Sequence, residues 1–384
     1  MVFIYNGHIK PINAPDIEHG CIIIDDAGKI AAIGPDLEAP EGAKMIDAGG
    51  RLVTPGCVEA HCHVGISKEG QDWQGDDCNE LTDPITPNLR AIDGYKLNDS
   101  GIADGIRGGV TTACVTPGST NVIGGTAMVI KLAGHRMSDM ILREDAAMKC
   151  AFGENPINYH GRMGKHSPSS RLGVAGMLRE TLRKAQDYRD ASAAGNRPAF
   201  DARLEALLPV INGEMPMKAH VHDSCDILSA IRIAGEFNLK MTLDHCSCAY
   251  EIAEEVAEAG YPTLVGPVVG YRSKVELEHR DPRTAAALYR FGAKVSIITD
   301  SPVLDLNMLP LCAGLAASQG LPMEEAWKAI TINPAEALGV SDRVGSLEVG
   351  KDGDVVIWTA DPLTVIGGES YITLVNGEIV YRAE

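Results

Sequence analysis

No stretch of this 384-residue chain approaches 18 uninterrupted apolar residues, which argues against a membrane-spanning helix. Its first residues, Met1-Val2-Phe3-Ile4-Tyr5-Asn6-Gly7, have neither a basic start nor a long apolar run, so no export signal is read there. Positive charge is scarce: 34 Lys and Arg against 52 Asp and Glu leave a net charge of −18. That balance disfavours nucleic acid and anionic membrane surfaces as partners and favours solubility. The ten cysteines have no regular spacing, and without an export signal they are expected as reduced thiols in the cytoplasm. What remains is an ordinary globular composition, 45% hydrophobic and 22% charged, long enough for one large domain of about 250 to 300 residues and a smaller one.

The two ends share one texture and the middle has another. Short strand patterns at residues 3–6, 21–25, 30–33 and 45–47 are separated by turns such as Asp26-Ala27-Gly28. The tail repeats the pattern at 354–358 and 371–375, before the hairpin turn Asn376-Gly377. The termini are therefore expected to meet in one small β-sandwich domain, residues 1–54 plus 346–384. Between them, short apolar runs alternate with helical patterns, as in βα units around a parallel sheet. Strands are read at 52–63, 111–116, 148–153, 217–222, 240–245, 262–265 and 294–300, and helices at 224–236, 250–259, 282–290 and 323–330. The eighth strand is obscure; 155–215 looks largely helical, with 207–211 its one weak strand candidate. The fold expected is α/β, a (β/α)₈ TIM-like barrel over residues 55–345.

Chemistry in such barrels lies at the C-terminal strand ends, and ligand-type residues recur there. The run Thr54-Pro55-Gly56-Cys57-Val58-Glu59-Ala60-His61-Cys62-His63 closes on two histidines at i, i+2. On a strand these share a face, about 7 Å apart, and two neutral imidazoles so placed suit a divalent metal such as zinc. A lone His-x-His also arises by chance. Here, however, later strand ends carry His220 with His222, then His245, Asp300 and Glu154. Any one of these alone is more simply structural; the series is not.

With these residues the chain resembles the amidohydrolase superfamily of metal-dependent hydrolases, and within it the branch around imidazolonepropionases and metal-dependent prolidases. The resemblance spans essentially the whole chain. It includes Pro55-Gly56-x-Val58-x-x-His61-x-His63, Gly108-Gly109-Val110-Thr111-Thr112, Ile330-Thr331-Ile332-Asn333-Pro334-Ala335 and Gly345-Ser346-Leu347-Glu348-x-Gly350-Lys351-x-x-Asp354. It implies one or two divalent ions, zinc foremost. His61 and His63 would hold one; His220 and His245 would hold a second or contact substrate; Asp300 would be the aspartate after strand eight. Many relatives bridge two ions with a carboxylated lysine on strand four. No convincing lysine is read here, Lys149 being expected too deep, so Glu154 is the expected bridge, with Cys114 a weaker alternative.

The implied reaction is hydrolysis of a C–N bond, amide or cyclic amide, by a metal-activated water. Asp300 would act as base and then acid, and His222 would contact substrate or the oxyanion. Substrate contacts are expected from loops. One candidate is the segment 64–100 with Trp73, Asp76, Asp77, Asn79 and Glu80; another is the Gly/Ser/Thr/Asn-rich stretch 117–125 containing Asn121. Arg162, Arg171, Arg272 and Lys274 could meet a substrate carboxylate, with Tyr271 a further substrate contact, which suggests an N-acyl amino acid, dipeptide or imidazolone-like ring. Cys246 and Cys248 beside His245 form no zinc-finger pair. Two other readings stay open, a deaminase on the same scaffold and a non-catalytic assembly protein. A homo-oligomer is what relatives suggest.

Overall fold

The computed structural model describes residues 1–70, 73–196 and 198–384; Gln71 and Asp72, inside the long segment 64–100, and Arg197 lie outside the described residues. Strands β1 (Val2–Ile9), β2 (Ile17–Ile24), β3 (Ile30–Gly34), β4 (Lys44–Asp47) and β5 (Leu52–Pro55) come first. Eight barrel strands follow: β6 (Cys57–Cys62), β7 (Val110–Val115), β8 (Ile123–Lys131), β9 (Ile141–Ala151), β10 (Met217–Val221), β11 (Met241–His245), β12 (Thr263–Val265) and β13 (Val295–Ile297). The tail adds β14 (Val355–Trp358), β15 (Ser370–Val375) and β16 (Glu378–Arg382).

The two ends of the chain do meet. One sheet runs β16-β15-β14-β5-β1-β2-β3, with β4 paired to β1, so strands from opposite termini are hydrogen-bonded neighbours. The apolar run 52–63, expected as one strand, is two. The two part at Gly56, where only glycine fits, because a Cβ there would lie 2.0 Å from Thr111 Oγ1. Residues before the break join the terminal sheet and residues after it open the barrel.

The barrel sheet runs β6 to β13 in chain order and is nearly closed. At the seam, His63 N donates to Ser301 O (2.7 Å), and Thr299 N donates to the Glu59 carboxylate (2.8 Å). The missing eighth strand is β8, antiparallel to both β7 and β9, so the barrel is not wholly parallel. Its run Ile-Gly-Gly-Thr-Ala-Met-Val-Ile-Lys is buried at every position and so lacks the alternation that marks a half-exposed strand. The segment 155–215 instead carries the helices Arg171–Ala193 and Ala202–Ile211. The apolar residues at 207–211 are the last turns of the second helix, started by the Asp201 side chain accepting from Arg203 N and Leu204 N.

Lys131, at the end of β8, ties the barrel to the terminal sheet. Its buried ammonium group lies 2.6 Å from Asp352 and 2.9 Å from Asp354. Helix Ser224–Phe237 shows the general packing pattern. Asp223 caps its start through Cys225 N, and Ile227, Ala230, Ile233, Ala234 and Phe237 bury one face. Among the described residues no helix is long and apolar enough to cross a membrane.

Candidate metal centre

Four histidines and one aspartate converge where the strand order places their ends. His61 ends β6, His220 lies on β10, His245 ends β11, and Asp300 follows β13. Ligand-type atoms of His61, His245 and Asp300 lie within 4.8 Å of one another, and so do those of His220, His222 and His245. His245 is common to both groups, its ring centroid 4.4 Å from that of His220 and 4.7 Å from those of His61 and His222. His245 and Asp300 both hold left-handed backbone conformations (φ 76° and 58°), a strained state that the surrounding sheet must impose.

The rings are held by their far sides. His61 Nδ1 lies 2.6 Å from Asp244 Oδ2, His63 Nδ1 2.6 Å from Thr116 O, His222 Nδ1 2.8 Å from Ser247 Oγ and His245 Nδ1 3.0 Å from Gly266 O. That pattern leaves Nε2 of each ring turned inward, which is how metal-binding histidines are oriented. Asp244 is itself braced by Thr242 Oγ1 (2.6 Å) and Lys218 Nζ (3.0 Å). Glu59, buried beneath the centre, accepts from His61 N, Thr299 N and Thr299 Oγ1, and burial lifts its carboxyl to about 7.

The inward atoms fit a cation. Nε2 of His220 and of His245, Oδ1 of Asp300 and Oε1 of Glu276 are buried and make no hydrogen bond. Each such atom left bare costs about 1–3 kcal/mol. Burial, the largest influence, holds the imidazoles of His61, His220, His222 and His245 well below their usual pKa, hence neutral and able to coordinate. His63 differs. Burial alone would lower it, but Cys78 and Asp300, whose Oδ1 lies 3.3 Å away, outweigh that and raise it to about 10. A proton on His63 and an ion beside Asp300 answer the same negative charge.

Lys149 corrects the expectation that it lies too deep. With β8 counted, β9 is the fourth barrel strand, and Lys149 sits on it in register with Lys218. Its Nζ reaches to 3.2 Å from His61 Nε2, and burial lowers its pKa. Glu154, the expected bridge, is not brought to this set. Its carboxylate accepts from Asn158 Nδ2 (3.1 Å) and Glu276 N (3.3 Å) and lines a separate cavity with Arg162 and Arg171. Cys114 is buried among apolar side chains, and burial raises its thiol to about 11. Cys246 and Cys248 turn their sulfurs towards the carbonyls of Leu243 and Glu276.

The substrate-binding expectations divide. Asn121 is fully engaged inside the protein, donating to Thr86 Oγ1 (2.9 Å) and meeting His160 Nε2 (2.9 Å). Arg171 is paired with Asp226 at 3.0 Å, while Arg162 and Arg272 are exposed. Tyr271 and Lys274 do line a cavity of about 320 Å³ that also takes in His222 and Asp300. Asp244, Lys218, Glu59 and Glu276 escaped the sequence reading. Asp244 directly precedes a ligand-type histidine, which is a usable signal; Glu276, in a loop, gives none.

Residues 52–380 match the amidohydrolase family. The chain belongs to that family. The structure is similar to that of an amidohydrolase from Thermotoga maritima MSB8 over 100% of both chains, with 34% identity and a TM-score of 0.95. Imidazolonepropionase from Pseudomonas putida (strain GB-1) is 28% identical over 379 residues, 90% of each protein. Amidohydrolase tasK from Hapsidospora irregularis is 31% identical over 359 residues; the match takes in 86% of this chain and spans 36% of that longer relative.

Proposed function

We propose that this amidohydrolase cleaves a C–N bond, amide or cyclic amide, of a small carboxylate-bearing molecule in a metal-dependent hydrolysis. The observation that carries this reading is the convergence of unpartnered buried imidazole nitrogens and the Asp300 carboxylate in one cluster. His61, His63 and Asp300 would hold one divalent ion, zinc foremost, and His220 with His245 a second. A divalent ion there lowers the pKa of its water from about 15.7 towards 7 and polarises a carbonyl oxygen.

The remaining work falls to the chain. Asp300, with one oxygen free of hydrogen bonds and its side chain 15% exposed towards the cavity, is placed to take a proton from the attacking water and return it to the departing nitrogen. Lys149 is the reading we favour for the bridge. A neutral amine can add CO₂, forming an N–C bond and releasing a proton, and the product carboxylate would supply the negative charge that two ions need. Burial of Lys149 outweighs the nearby carboxylates of Asp244 and Asp300 and favours its neutral form.

The 320 Å³ cavity suits an anionic substrate group because Lys274 and Arg280 line it together with Tyr271, Asp300 and His222. Cavities of about 370 and 430 Å³ also exist, but they open at residues such as Lys294, Val295, Met241 and Thr242, the N-terminal strand ends where such barrels do no chemistry. Imidazolonepropionase-type rings, N-acyl amino acids and dipeptides are the substrates to screen. Metal content per chain, measured on protein purified without chelator, comes first. Two equivalents support the reading, and none after reconstitution overturns it. Ammonia release in the screen would identify a deaminase instead.

A further inference from the structure

Glu276 lies far from every strand end that sequence patterning marks, yet its side chain is 1% exposed and points into the histidine cluster. Its Oε1 is 3.8 Å from Nε2 of both His220 and His222 and makes no hydrogen bond. The other oxygen is held in place, accepting from Glu154 N at 2.9 Å, while Glu154 Oε2 accepts in return from Glu276 N. Gly153 makes room for this: it has φ +75°, and a Cβ there would fall 2.5 Å from Glu276 Oε2. One carboxylate oxygen is thus fixed, and the other is left facing the imidazoles of His220 and His222.

We propose that Glu276 and His222 complete the shell of a divalent ion shared with His220 and His245, so that the second ion of this centre has a carboxylate supplied from the loop between β12 and helix Thr284–Arg290. The proposal rests on the metal-dependent reading above. The spacing supports it, since two donors each bound at about 2.0–2.1 Å to one ion lie no more than about 4.2 Å apart, and 3.8 Å is found. The charge supports it too: three neutral imidazoles bring the ion no charge, and Glu276 adds a negative charge to whatever share of a bridge the second ion receives. Lys274, 3.6 Å from the same oxygen and 30% exposed, can turn towards solvent when an ion takes its place. The loop that carries Glu276 also lines the substrate cavity through Lys274, Leu277 and Arg280. Loading the second ion therefore fixes the cavity wall.

The test uses Zn²⁺ with the full-length protein, Glu276→Gln and, independently, His222→Gln, each checked for a native circular dichroism spectrum. Titration calorimetry and elemental analysis should show two ions in the wild type. In both variants the first ion should bind unchanged and the second at least tenfold more weakly. Hydrogen exchange over residues 270–280 should slow on adding Zn²⁺ to the wild type and not to Glu276→Gln. Two ions bound with unaltered affinity in both variants, or a single ion in the wild type, would overturn the proposal while leaving the hydrolase reading standing. No ion in the wild type would remove both.

Discussion

Nζ of Lys149 on β9 lies 3.2 Å from Nε2 of His61 on β6. A buried lysine amine and a neutral imidazole nitrogen are thereby held together inside the barrel, with Lys149 kept from its full basicity by burial. An ammonium in that place would repel a cation; a carboxylated amine would attract one. Lys149→Ala should therefore lower the metal count per chain or weaken binding at least tenfold, with activity lost alongside. Mass spectrometry of the intact protein under native conditions should show one added CO₂ on the wild type alone. Full metal content in Lys149→Ala would eliminate the bridging role.

Asp300 is expected to separate binding from turnover. Asn keeps one oxygen for an ion but cannot carry the proton, so Asp300→Asn should retain metal and lose about 10²–10⁴-fold in kcat. Elemental analysis and steady-state kinetics on the same sample check both halves. Full activity would remove Asp300 as the proton carrier.

Asp244 touches no candidate substrate space but orients His61 through the 2.6 Å contact at Nδ1. Losing such a partner typically weakens metal binding about 10–100-fold. Asp244→Asn also leaves the buried Lys218 ammonium without its counter-charge, a change that costs about 3–5 kcal/mol where a buried pair is broken. Calorimetric metal titration and thermal unfolding of the apoprotein should both register the substitution; a variant with wild-type affinity would show that His61 needs no such brace.

Glu154→Ala is expected to leave the metal count at the wild-type value, because the Glu154 carboxylate is engaged by Asn158 and by the backbone of Glu276. A reduced count in elemental analysis would mean that Glu154 acts on the centre, as a ligand or through its hold on the Glu276 backbone.

The route from sequence to site broke at one strand. The His-x-His pairs, His245 and Asp300 were legible because each ends an apolar run, and period-2 geometry then fixes the face. β8 was not legible, since a strand buried on both faces has no alternation and its Gly124-Gly125 start resembles a turn. Without it the strand count is short by one, so that the strand carrying Lys149 reads as the third of the barrel and not the fourth. Glu276 was illegible for a different reason: its position depends on a loop folding back against Gly153, a long-range contact without local pattern. The terminal sheet was readable because its strands are short, half-exposed and separated by turn residues, but the break at Gly56 depends on Thr111, which is close only in the fold.

The latch between barrel and terminal sheet should be visible in acid. Burial alone would raise the pKa of Asp352, but the hydrogen bond from Arg343 and the ammonium groups of Lys131 and Lys29 outweigh it and bring it from 3.8 to about 2. A carboxylate with a lowered folded-state pKa adds stability above its unfolded value, and that contribution disappears as pH falls through the folded value. The shift corresponds to about 2 kcal/mol unscreened and to about 1 kcal/mol after solvent screening, since Lys29 and Arg343 are 35% and 41% exposed. Asp352→Asn should therefore unfold at lower temperature than wild type at pH 5 and above. The gap should narrow between pH 4 and about 2 and be largely gone below it. A gap that stays constant across that range would mean that Asp352 acts through packing or hydrogen bonding and not through its charge.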